Sequence, residues 1–153
     1  MSGCTLLAAL VIGCSDDDDS SDARQCSLFD RPEVEEATGL SVSDGVAFEH
    51  EESGDGTWCL YVIDGNRVEL QFRPGDRATF DARRDQARRE GAEFADLDDV
   101  GEAAFFGTAG INSTTVFVDR SLLVVQSLDA VSDDAKALTS TVARLAADNC
   151  CPS

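Results

Sequence analysis

The chain has 153 residues, with 30 Asp and Glu against 12 Lys and Arg, a net charge of -18 and a mean hydropathy of -0.16. That charge excludes nucleic acid as a ligand and direct attraction to anionic lipid headgroups, because both carry dense negative charge of their own. The length allows one domain with a modest core, and the acidity reads as solubility or adaptation to salt rather than as a docking surface.

At the N-terminus, Leu6-Leu7-Ala8-Ala9-Leu10 runs into Val11-Ile12-Gly13-Cys14. The run is shorter than the roughly 20 residues that a membrane-spanning helix needs. It fits the apolar core of an export signal, and the lack of Lys or Arg before Leu6 points to a start codon lying further upstream. An apolar stretch closed by two medium-sized apolar residues, a small residue and cysteine resembles a prokaryotic lipobox. The resemblance implies a signal segment over residues 1–13 and a diacylglyceryl group on Cys14. The mature protein would then be held by lipid on the outer side of the cytoplasmic membrane. Cys4 would fall inside the discarded signal. Residues 14–25 contain Asp16-Asp17-Asp18-Asp19-Ser20-Ser21-Asp22, which buries nothing, and they read as an acidic disordered tether. A flexible run of carboxylates lacks the preorganised oxygens of a tight calcium site.

Residues 26–153 form the expected single α+β domain. Asp30-Arg31-Pro32-Glu33 starts a first helix, with Asp30 as cap and Glu33 at the third position, and Gly39 stops it. Val46 to Glu52 alternates as a strand, and Trp58 to Ile63 is a second one. Asp64-Gly65-Asn66 is a hairpin turn into a third. There Val68, Leu70 and Phe72 make a dry face, while Glu69, Gln71 and Arg73 make a wet one. Pro74-Gly75-Asp76 ends the sheet run and caps a helix from Arg77 to Glu90, whose Asp81–Arg84, Asp85–Arg88 and Asp85–Arg89 spacings mark a solvated surface. Glu93 to Leu97 is a short further candidate strand. Ala103 to Gly107, Ser113 to Asp119 and Leu122 to Leu128 follow, the last two joined by a turn at Asp119-Arg120-Ser121. Ser132-Asp133-Asp134 caps a closing helix with Ala135, Leu138, Val142, Leu145 and Ala146 on one face. The order α-βββ-α-βββ-α predicts an antiparallel sheet of about six strands with the helices packed on one face. The halves resemble each other in topology without residue identity.

Beyond Cys14, the mature chain keeps Cys26, Cys59, Cys150 and Cys151, and an even count in an exported chain reads as disulfides. Four cysteines allow three pairings. Cys26 with Cys59 is preferred because it ties the first helix to the first hairpin. Cys150 and Cys151 would close a vicinal bridge, or one of them would clamp the C-terminus. Without a Cys-x-x-Cys pair, and with His50 as the one histidine, the chain does not fit a zinc site. His50 lies between Glu49 and Glu51 on a strand, facing away from both, and no Gly-x-Ser-x-Gly turn accompanies it, so it reads as a sheet residue rather than a base. Glu49, Glu51 and Glu52 have the residue type for glycoside hydrolysis but no pattern that marks it. Asp96, Asp98, Asp99, Gly101 and Glu102 hint at a calcium loop, but the fifth and twelfth positions are Val100 and Gly107, so an acidic turn is the better reading. Asn112-Ser113-Thr114 has the pattern of a glycosylation sequon. Trp58, Tyr61, Phe72, Phe105, Phe106 and Phe117 are expected in the core.

Cys26-Ser27-Leu28 opening a helix closed by Gly39, Trp58-Cys59 on an early strand and Gly101-Glu102-Ala103-Ala104-Phe105 together carry a wider resemblance. With the late strand Leu122-Leu123-Val124-Val125 and the closing helix from Ala135 to Ala147, they resemble an actinobacterial lipoprotein family catalogued as domain of unknown function 3558. The resemblance implies an envelope lipoprotein in which Cys26 pairs with Cys59; the Cys150-Cys151-Pro152 tail departs from its pattern. The expectation is therefore a monomeric, lipid-anchored, cell-envelope domain without catalytic activity, metal or cofactor, binding another envelope protein. The alternative is a carrier or sensor holding a small apolar ligand between sheet and helices, with Phe72, Phe105 and Phe117 lining the cavity.

Overall fold

The computed structural model describes residues 26–51, 56–91, 93–108, 110–130 and 132–150. The signal segment, Cys14, the tether and Cys151 lie outside the described residues. Among these residues three helices and seven strands follow in the order α1 (Arg31–Thr38), β1 (Val46–Glu49), β2 (Thr57–Ile63), β3 (Asn66–Pro74), α2 (Arg77–Glu90), β4 (Phe94–Leu97), β5 (Ala103–Gly107), β6 (Asn112–Val118), β7 (Ser121–Ser127) and α3 (Ser132–Cys150). The strands make one antiparallel sheet ordered β1-β2-β3-β7-β6-β5-β4. It is the expected α+β class with one strand more than the six counted, because the short segment at Phe94–Leu97 pairs fully with β5.

Local chemistry sets the helix ends. The Asp30 N–H donates to Glu33 Oε2 at 3.1 Å, and Gly39 closes α1 at φ 69°. Asp76 Oδ1 accepts from both the N–H and the hydroxyl of Thr79 at 2.7 Å at the start of α2. The hairpins are two meanders, β1-β2-β3 and β4-β5-β6-β7, joined where β3 runs beside β7 from Val68↔Ser127 to Pro74↔Ser121. Arg67 ties that seam: its Nε and Nη2 donate to the two carboxylate oxygens of Asp129 at 2.9 and 2.8 Å. These bonds hold the Asp129 carboxyl down to about 2.

The helices do not share one face. Residues of α1 and α3 pack with Tyr61, Ile63, Val68, Leu70, Val116, Val118, Leu123 and Val125 on one side. Phe80 and Ala87 of α2 pack with Phe105, Phe117 and Leu122 on the other. Adjacent strand residues point to opposite faces, so Ala104 joins the α3 side while Phe105 meets Phe80, ring centroids 5.5 Å apart. The physical reason is visible in β5, β6 and β7, whose consecutive apolar residues (Ala103 to Phe106, Val116 to Val118, Leu122 to Val125) need cover on both sides. Close approach also needs Gly107, where a Cβ would lie 3.0 Å from Ala87 Cβ.

Cys26 and Cys59 are bridged, with Cα atoms 5.2 Å apart. Cys59 is fully buried, and Tyr61 donates its hydroxyl to the Cys26 carbonyl at 3.0 Å. Cys150 ends α3 packed against the same core, its Sγ 3.4 Å from the Ala147 carbonyl oxygen. No helix among the described residues is long and apolar enough to cross a membrane.

Candidate functional site

The α2 side of the sheet is covered unevenly. Helix α2 lies over β5 and β6, and among the described residues no helix lies over β1, β2 and β3 on that side. The sequence explains the asymmetry. On β3 the residues of this face are Glu69, Gln71 and Arg73, so the strand carries no apolar surface there for a helix to bury. The register assembles the floor in rows: Ser113, Gln126, Glu69, Leu60 and Val46 in one, and Thr115, Val124 and Gln71 in the next, with Trp58 paired to Phe48 at its outer edge.

The face expected to be wet is largely buried. Glu69 is 4% exposed and Gln71 is 2% exposed. Glu69 is the one buried carboxylate among the described residues, and burying a charge is costly unless hydrogen bonds replace its water. Its Oε2 takes two partners: His50 Nε2 at 3.0 Å and the side-chain amide of its cross-strand neighbour Gln126. His50 follows the last residue of β1 yet reaches β3, two strands in, and its ring stands edge-on to Phe48 and Trp58 at 5.0 and 5.4 Å. His50 is thus not the simple sheet residue expected but part of a histidine-carboxylate-amide cluster. Beside it, the indole N–H of Trp58 is buried with no hydrogen-bond partner among the described residues.

A histidine oriented by a carboxylate is two thirds of a nucleophilic triad. Among the described residues no serine, threonine or cysteine is hydrogen-bonded to His50, and no second buried carboxylate stands near Glu69. The cluster links the end of β1 to β3 and β7 across this face. Outward from it the β1–β2 corner turns apolar, with Val46 61% and Val62 40% exposed on either side of half-buried Leu60.

Other sequence candidates have structural employment. Asp96 receives Arg84 at 3.6 Å and Arg88 at 3.3 Å, which differs from the pairs expected along α2, where Asp81 instead holds Arg77 at 3.2 Å. Glu102 Oε1 accepts from the Asp119 N–H at 2.8 Å, and Asp99 and Gly101 adopt positive φ, so the acidic stretch is a shaped turn. No group of three or more His, Cys, Asp or Glu among the described residues is arranged to hold a metal ion. The Asn112 side-chain amide donates to the Ala130 carbonyl at 3.2 Å. Of the three phenylalanines expected around an apolar ligand, Phe72 packs on the α3 side while Phe105 and Phe117 fill the α2 side, so they share no cavity. A cavity of about 410 Å³ lies between α1 and α3, bordered by Thr38, Asp64, Asn66, Asp134 and Thr141 as well as small apolar side chains. No protein-family model, curated protein or solved structure matches this chain.

Proposed function

We propose that the chain is a lipid-anchored cell-envelope protein whose exported domain binds another envelope protein and performs no catalysis itself. Cys14 carries the anchor, residues 14–25 space the domain from the membrane, and the helix-free part of the α2 side is the docking surface. One observation carries the docking assignment: an exposed apolar corner at Val46 and Val62 adjoins an aromatic cluster of Phe48, His50 and Trp58 with rings in edge-on contact. Exposed apolar surface beside ordered aromatic side chains is the composition of binding surfaces. The Cys26–Cys59 bridge supports placement outside the cytoplasm, where disulfides persist.

Two measurements test this reading. Native mass spectrometry of protein from its own membranes should find a diacylglyceryl mass on Cys14, and a free Met1 would refute the anchor. A photo-crosslinking residue at Val46 or Val62 should trap one common partner. Ile111, also exposed at 43% but beyond this corner, serves as the control. Equal trapping from Ile111, or none from Val46 and Val62, would refute the docking surface.

A further inference from the structure

On the opposite flank of the same sheet face, α2 presents Arg83, Gln86, Ala87 and Glu90 on one stripe, at the helical spacing i, i+3, i+4 and i+7. With Phe105 of β5 and Ser113 and Thr115 of β6 they line a groove of about 300 Å³, at the lower end of the range for small-ligand sites. Acids outnumber bases 30 to 12 in this chain, and on α2 the guanidinium groups of Arg77, Arg84 and Arg88 hold carboxylates, whereas those of Arg83 and the more exposed Arg89 do not among the described residues. Arg83 is half-buried, yet among the described residues it has neither an ion pair nor a hydrogen bond. A partly desolvated guanidinium left unpaired amid so many acids is a recognition element waiting for an anion, and its planar fork matches a carboxylate.

The far end of the groove carries the opposite charge. Gln86 Nε2 donates to Glu90 Oε2 at 3.1 Å, which positions that carboxylate and leaves its other oxygen open. Arg83 and Glu90 are seven positions apart, about 10 Å along the helix axis at roughly 1.5 Å per residue. An extended chain of three residues spans about 10 Å as well. Between the ends, the hydroxyls of Ser113 and Thr115 both donate and accept, as peptide amides require, and Phe105 and Ala87 give an apolar floor. A protein of charge -18 repels a purely anionic ligand, whereas a zwitterion meets no net repulsion. The geometry points to a binding site for a short peptide with free termini, its carboxylate on Arg83 and its ammonium on Glu90. The site is independent of the docking corner at Val46 and Val62, and either can fail alone.

The test uses the full chain in mild detergent, titrated by calorimetry with tri-alanine, its C-terminal amide and its N-acetyl form. Tri-alanine should bind saturably in the millimolar range or tighter. Amidation, or Arg83→Gln in the protein, should weaken binding about tenfold or more, since each removes a charge-assisted contact. N-acetylation, or Glu90→Gln, should weaken it several-fold, the smaller effect of an exposed pair. Unchanged thermal unfolding of both variants establishes that they fold. No binding at millimolar peptide, equal binding of the amide, or unimpaired Arg83→Gln overturns the proposal. Full retention of the N-acetyl peptide overturns it as well, because Arg83 would then accept a carboxylate from any source, a protein C-terminus included.

Discussion

At the scale of single residues, Tyr61 shows how burial and one hydrogen bond make a side chain both structural and measurable. It is the one tyrosine of the chain, is 3% exposed, and stacks at 4.7 Å against Phe29 while its hydroxyl reaches the Cys26 carbonyl. Gly45 allows this packing, since a Cβ there would fall 2.6 Å from Cys59 Sγ and 2.7 Å from the Tyr61 ring. Burial pushes the Tyr61 phenol up to about 12, because the phenolate would lose its water. In the unfolded chain the group ionises near 10, so between these values the unfolded state holds fewer protons than the folded one. The stability this phenol confers is fully present below about pH 10 and is lost as pH rises toward 12. The change in absorbance at 295 nm with pH reads this tyrosine alone, since the indole of Trp58 does not titrate. The folded protein should titrate near 12 and the protein in concentrated denaturant near 10; a folded titration near 10 would show the ring to be solvated. Tyr61→Phe should remove the alkaline loss while weakening the tie to Cys26.

At the scale of elements, what the sequence discloses depends on how local the governing interaction is. Helix α2 begins and ends at the expected Arg77 and Glu90, because Asp76 and Gly91 act within one turn. The β2–β3 hairpin turns at Asp64 and Gly65, both at positive φ as an Asp-Gly turn requires. The β3–β7 seam is different. Its partners are more than forty residues apart, and no pattern within either strand names the other. The two-sided burial of β5 to β7 was present in their consecutive apolar residues, yet strand alternation elsewhere pointed to one covered face. The His50–Glu69–Gln126 cluster was the least legible feature. Its three residues come from three separate segments, and alternation alone assigns Glu69 to water. The Cys26–Cys59 bridge is long-range too, spanning 33 residues, and it ties the segment before α1 to β2. In the chain-entropy account a loop of that size contributes about 4 kcal/mol. Reducing the bridge should therefore move the urea midpoint down by an amount of that order, divided by the slope of the transition. The double variant Cys26→Ala with Cys59→Ala should show the same shift without reductant. No shift in either would mean that the core around Tyr61 holds α1 and β2 without help from the bond.

At the scale of the whole molecule, charge opposes the fold more than it supports it. Among the described residues the arginine–carboxylate pairs are exposed or partly exposed, and pairs of that kind contribute about 0–1 kcal/mol each. Against them stands an excess of 18 negative charges on 153 residues, all but four of them on residues 26–153. Compaction brings those carboxylates closer together, and the unfolded chain relieves their repulsion by expanding. Salt weakens both effects, shortening the screening length from about 10 Å at 0.1 M to about 3 Å at 1 M. It acts on every like-charge contact but on only a handful of attractive ones, so the repulsive sum loses more. Raising sodium chloride from 0.05 to 1 M should therefore increase the urea midpoint, most steeply in the first few tenths molar where screening changes fastest. Chloride is the right anion for the comparison, because sulfate would also strengthen apolar burial and mix two causes. A midpoint that falls with chloride would reverse the balance, making the pairs at Asp96, Asp81 and Asp129 the dominant electrostatic terms. The same titration on Asp129→Asn separates these cases. If repulsion dominates, removing one carboxylate should lower the salt sensitivity. If the pairs dominate, breaking the Arg67 tie should remove the part of the loss that this one pair carries.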